Sequence, residues 1–188
     1  MLTDSVAEVG VALILASLRQ TVSRANQVRS GQWTASTELF SELGQSLLGQ
    51  TVGFIGLGRI GLAIALRLIP FKINPTVYYS NRTDNTEAAR YEGAEASHSS
   101  QLSFRLLPGL SRVSLAQLAA VSDIVVVAAS LSQETKNIVS AEFLGNMKSS
   151  AFLINVARGG LVDQEALVTA LNTGGIKGRS SPLSSPTS

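Results

Sequence analysis

Apolar residues recur along this chain in more than one rhythm. From Val6 to Leu18 they run almost all round, interrupted by Glu8, and Ser5-Val6-Ala7-Glu8 has the Ser-x-x-Glu form that caps a helix start. This predicts one long helix from Ser5 to about Arg29, ending before Gly31. Its all-round apolar first half implies burial against something larger than one face of a single domain, such as a partner subunit. Short continuous apolar runs then take over, at Thr51–Ile55, Thr76–Ser80, Asp123–Ala128 and Ala151–Val156, as strands covered on both faces do.

Helical patterns separate these runs. One spans Arg59 to Ile69 and stops at Pro70, and one is capped by Asp84-Asn85-Thr86-Glu87 and reaches about Glu92. A further capping box, Ser114-Leu115-Ala116-Gln117, opens a short helix, and Gln164 to Asn172 is ended by Gly174-Gly175. The alternation predicts an α/β fold, a Rossmann-type doubly wound parallel sheet preceded by the long helix. Residues 1–30 are then a linker or dimerisation element and 31–178 the nucleotide-binding domain. Ser30 to Gly49 reads as a connection with Trp33 as an isolated anchor. Ser97 to Arg112 interrupts the place of a short third strand, and Arg179 to Ser188 reads as a disordered Ser/Pro tail.

Composition narrows the function. The 188 residues, 45% of them hydrophobic, can build one core. A net charge of +2 without a Lys/Arg cluster argues against nucleic-acid and membrane partners. With no cysteine and one histidine, no metal site is expected. The apolar N-terminal run is too short to span a bilayer and no basic residue precedes it, so a soluble, cytoplasmic protein is expected.

The chemistry begins at Gly56-Leu57-Gly58-Arg59-Ile60-Gly61, a G-x-G-x-x-G sequence between a strand and a helix. In that setting the first glycine permits a tight turn and the second lets backbone approach a pyrophosphate. The third lets the helix pack on the strand, which places phosphate at the positive helix end. Gly56, Gly58, Arg59, Ile60 and Gly61 are therefore candidate cofactor contacts. An NAD enzyme usually places a carboxylate about 20 residues further on, against the ribose 2′-hydroxyl. Here the second strand ends in Ser80-Asn81-Arg82-Thr83. Arg82 can hold a 2′-phosphate by charge-assisted hydrogen bonds, with Ser80, Asn81 and Thr83 as neutral donors, which favours NADP(H). NAD(H) stays open, with Arg82 a solvated loop residue and Asp84 reaching the ribose.

Together with Thr3–Glu8, Gly31-Gln32-Trp33 and Ile154-Asn155-Val156-Ala157-Arg158-Gly159-Gly160-Leu161-Val162-Asp163, this loop resembles the D-isomer-specific 2-hydroxyacid dehydrogenases. The nearest pattern is the branch that reduces glyoxylate and hydroxypyruvate, and the likeness covers residues 2 to about 178 except 97–112. It implies hydride transfer between a nicotinamide and a small 2-oxo or 2-hydroxy acid, and a homodimer made through the N-terminal helix. By the same resemblance Arg158 binds the substrate carboxylate and carbonyl. Ser130 and Leu131 lie along the cofactor, and Val156 and Ala157 approach the nicotinamide. Without the family, Arg158 reads equally as an exposed turn arginine, but it follows a buried strand on the side where open α/β sheets bind ligands.

The family's catalytic histidine and its glutamate fall beyond the Gly174–Gly178 region and have no counterpart here; His98 lies in the unmatched 97–112 segment and reads as a loop histidine. The pattern also lacks the N-terminal part of a substrate domain and the final strands, which leaves the sheet incomplete, with an edge and an apolar helix face uncovered. Two functions are expected: an NADP(H)-dependent reductase without its full machinery, or a catalytically silent NAD(P)-binding fragment that pairs with a complete subunit.

Overall fold

The computed structural model describes residues 2–33, 44–73, 76–81 and 110–180. Helix α1 (Leu2–Leu18) buries Ala7, Gly10, Ile14 and Leu18, a spacing that lines one face of a helix. That face joins one apolar cluster with Ile64, Ala65 and Leu68 of α3 (Arg59–Leu68). The apolar half of α1 thus finds cover inside this chain, with Leu2 and Val9 left exposed.

The single helix expected over Ser5 to Arg29 is two. Gln20 takes a left-handed φ of 52°, and α2 (Thr21–Arg29) leaves α1 at 63° with no buried residue. The physical reason is in the sequence RQTVSRANQVR, which carries no apolar stripe to hold a continuing helix on the core. Because α1 starts at Leu2, Ser5 lies inside it and does not cap it. Trp33 is not anchored in the core either: it is half exposed, with the Arg24 guanidinium 5.8 Å from its ring centre. Among the described residues no single helix is long and apolar enough to cross a membrane, although α1 and α2 taken together pass by length and composition.

The strands are β1 (Val52–Ile55), β2 (Thr76–Tyr79), β3 (Ser111–Arg112), β4 (Ile124–Val127), β5 (Phe152–Asn155) and β6 (Gly178–Ser180). They pair in the order β3-β2-β1-β4-β5-β6, all parallel. Alternate residues feed opposite faces. Phe54, Val126 and Ile154 meet α1 and α3, while Ile55, Val125, Val127 and Leu153 meet α4 (Leu115–Val121), α5 (Ala141–Gly145) and α6 (Gln164–Asn172). Both faces are covered, which is why the strands read as unbroken apolar runs.

Sequence expectations are sharpened at both edges. Ser111 pairs with Val77 and Arg112 with Tyr78, so the end of the segment taken as an insertion supplies the third strand. At the other edge Arg179 and Ser180 pair with Leu153 and Ile154, so the expected tail begins as a strand that covers β5. A strand of two or three residues has no periodicity to read, and only its partner fixes it. The helix expected from Asp84 to Glu92, residues 97–109 and residues 181–188 lie outside the described set. The capping box at Ser114 is present with both arms, whereas the caps from Ser140 and Asp163 were not anticipated.

Candidate dinucleotide site

β1 is flanked by β2 and β4, and strand order reverses there, so a crevice opens outside the carboxyl ends of these strands. The glycine loop fills that point. Gly56 has φ +87°, and a Cβ on it would lie 2.8 Å from the Ala129 Cα. Its N–H donates to the Tyr79 carbonyl at 2.9 Å, which ties the loop to the end of β2. Gly61 packs the first turn of α3 onto the loop, since a Cβ there would sit 2.6 Å from the Gly56 carbonyl oxygen. Gly58, the residue before α3, faces open space. Backbone N–H groups at that helix start can therefore receive a phosphate. Arg59 is exposed beside it, while Ile60 is half buried and packs on the core.

At the end of β2, Ser80 and Asn81 reach the crevice side, and Arg82 and Thr83 lie outside the described residues, as does His98. The Asn81 amide donates to the Glu134 carboxylate at 3.0 Å, and the Arg112 guanidinium donates to the Ser80 carbonyl at 2.6 Å. Neither Glu134 nor Arg112 was singled out from sequence. No spacing rule joins them to Ser80 and Asn81; only the sheet does.

Ser130 and Leu131 follow β4 and are exposed. Their loop is braced by Thr135, a buried residue whose hydroxyl accepts from the Ser132 N–H at 2.7 Å and donates to the Ser130 carbonyl at 2.7 Å. The Asn137 N–H donates to the Gly160 carbonyl at 2.9 Å, which joins this loop to the turn after β5.

That turn carries Val156, Ala157 and Arg158. The Val156 side chain is buried in the α1 cluster, so only its backbone is available at the crevice, and Ala157 is half buried. Arg158 is exposed and precedes a short 3-10 turn, Gly159–Leu161. Asn155, nearly fully buried, clamps the turn: its side chain accepts from the Ala157 N–H at 2.9 Å and donates to the Arg158 carbonyl at 3.1 Å. Sequence reading passed over Asn155, yet the signal was there. A polar residue closing a buried apolar run must find partners, and local backbone is the nearest source.

A parallel sheet of this order with a G-x-G-x-x-G loop at its switch point defines a Rossmann-type dinucleotide-binding domain. Residues 11–180 match the family model for the D-isomer specific 2-hydroxyacid dehydrogenase, NAD binding domain. The chain belongs to that family. It is 37% identical over 186 residues to a glyoxylate reductase/hydroxypyruvate reductase of Mus musculus, covering 99% of this chain and 51% of the relative. It is 40% identical over 181 residues to a glyoxylate reductase of Pyrococcus horikoshii, with 95% and 49% covered. The chain thus spans about half the length of the curated relatives it matches. Among solved structures it superposes on an NAD-dependent formate dehydrogenase of Staphylococcus aureus in complex with NAD. The TM-score is 0.76 at 30% identity, with 95% of this chain and 48% of that one covered. It also superposes on an acyclic imino acid reductase in complex with NADPH, with TM-score 0.75 at 25% identity and 95% and 50% covered.

Proposed function

We propose that this chain is the nucleotide-binding half of an NADP(H)-dependent reductase of glyoxylate or hydroxypyruvate. The observation that carries the reading is the glycine loop, whose Gly58 opens the start of α3 to a ligand at the switch point of the sheet. A dinucleotide with its phosphates there would supply or accept hydride at the nicotinamide C4. The residues that hold it in this reading are Gly56, Gly58, Arg59, Ile60 and Gly61 at the phosphates. Ser130, Leu131 and the Val156–Ala157 turn lie towards the nicotinamide end. Arg82, with Ser80, Asn81 and Thr83, favours a 2′-phosphate and hence NADP(H). Arg158, exposed at the end of β5, holds the carboxylate of a small 2-oxo acid through paired charge-assisted hydrogen bonds. Homodimerisation through residues 1–30 is part of the proposal, supported by Leu2, Val9, Val22 and Val28, all exposed on α1 and α2.

A second reading is a catalytically silent NAD(P)-binding chain that pairs with a complete subunit. One titration tests the cofactor assignment. NADPH should raise the melting temperature of the purified chain more than NADH does, and Arg82→Ala should remove the difference. No stabilisation by either nucleotide defeats the assignment. NADPH oxidation in the presence of glyoxylate separates the two readings, because the silent chain binds without turnover.

A further inference from the structure

We propose that the 2′ position of the adenosine ribose is read by two opposed charges, Arg112 and Glu134, that converge on the end of β2 from either side of the glycine loop. The inference rests on the cofactor reading above and names residues that it does not use. Gly56 is tied to the Tyr79 carbonyl, so the two residues that follow Tyr79 border the crevice next to the glycine loop. Arg112 reaches the first of them, donating to the Ser80 carbonyl at 2.6 Å, and Glu134 holds the second, accepting from the Asn81 amide at 3.0 Å. Both charges stand on fixed backbone. Arg112 is set by its parallel pairing with Tyr78, and Glu134 sits in the loop that Thr135 braces from Ser130 to Ser132. Both heads are exposed.

Their signs oppose each other at one substituent. A guanidinium binds phosphate, whereas a carboxylate accepts hydrogen bonds from a ribose diol and repels a phosphate. The carboxylate that is absent from the tip of β2 in sequence is thus delivered there in space, from the loop after β4. Preference between NADPH and NADH is then a balance: Arg112 attracts a 2′-phosphate, and Glu134 opposes it.

The test measures dissociation constants of NADH and NADPH by nicotinamide fluorescence on the whole chain and its variants. Arg112→Ala should weaken NADPH about tenfold more than NADH, with partial recovery in Arg112→Lys. Glu134→Gln should shift the ratio the other way, about threefold in favour of NADPH. Both residues are exposed, so the variants should keep the wild-type fold, checked by circular dichroism. A ratio within about twofold of wild type in either variant overturns the role of that residue, with both nucleotides still bound. Binding of neither nucleotide by the wild-type chain defeats the cofactor reading itself, and this inference with it.

Discussion

In the proposed site a ligand would meet backbone at the glycine loop, its phosphate end, and side chains at the end of β2, its ribose end. The phosphate end is six consecutive residues whose geometry leaves no choice: Gly56 with φ +87° against Ala129, and Gly61 against the Gly56 carbonyl. The proposed ribose end is assembled from β2, β3 and the loop after β4, where the exposed Arg112 and Glu134 hydrogen-bond to Ser80 and Asn81. The difference implies that the first end cannot change without damaging the fold, whereas the second can be retuned at little cost to stability. The turn after β5 stands between them, since its backbone is held by one buried side chain, Asn155.

The sharpest way to break this contrast is at Gly56. Gly56→Ala puts a Cβ into the Ala129 backbone at a left-handed φ, and should cost about 2–4 kcal/mol in urea unfolding while abolishing nucleotide binding. An effect no larger than that of a surface substitution would show that the loop is adaptable. Next comes Asn155→Ala, which strands the Ala157 N–H and the Arg158 carbonyl. It should cost about 1–3 kcal/mol and weaken NAD⁺ more than ADP-ribose, which lacks the nicotinamide. Asn155→Asp, which keeps the acceptor, should lie between; equal losses for NAD⁺ and ADP-ribose would reduce Asn155 to a general packing role.

Arg112→Ala should leave stability within about 0.5 kcal/mol of wild type even as it moves the cofactor ratio. A larger loss would mean that β3 depends on it. The smallest effect is expected away from both ends. The Arg67 guanidinium, 2.8 Å from Asp4 across α1 and α3, holds that carboxyl below its ordinary value of 3.8. A depressed pKa stabilises the fold above the unfolded value. The contribution is present above about pH 4, falls as pH drops through 3.8, and is gone below the folded pKa. Thermal unfolding of Asp4→Asn against wild type should show a small gap at about pH 6 that narrows as the pH falls below 3.8, and a gap that stays constant would point to another role for Asp4.

The sequence by itself determined the strands β1, β2, β4 and β5, the helices α3, α4 and α6, and the glycine loop. Each is written in contiguous residues, as an apolar run, a capping box or a fixed spacing that local sterics enforce. It also set Arg158 after a buried strand, because strand direction alone places that end at the crevice. Tertiary structure decided the rest. It broke the first helix at Gln20, where the core stops supplying contacts, and made strands of Ser111–Arg112 and Gly178–Ser180, too short to carry a pattern of their own. It also brought Arg112 and Glu134 to Ser80 and Asn81. Those side chains lie 32 and 53 positions from their partners, and only the parallel pairing of β2 with its neighbours, through β1 to β4, sets which charges meet at the end of β2.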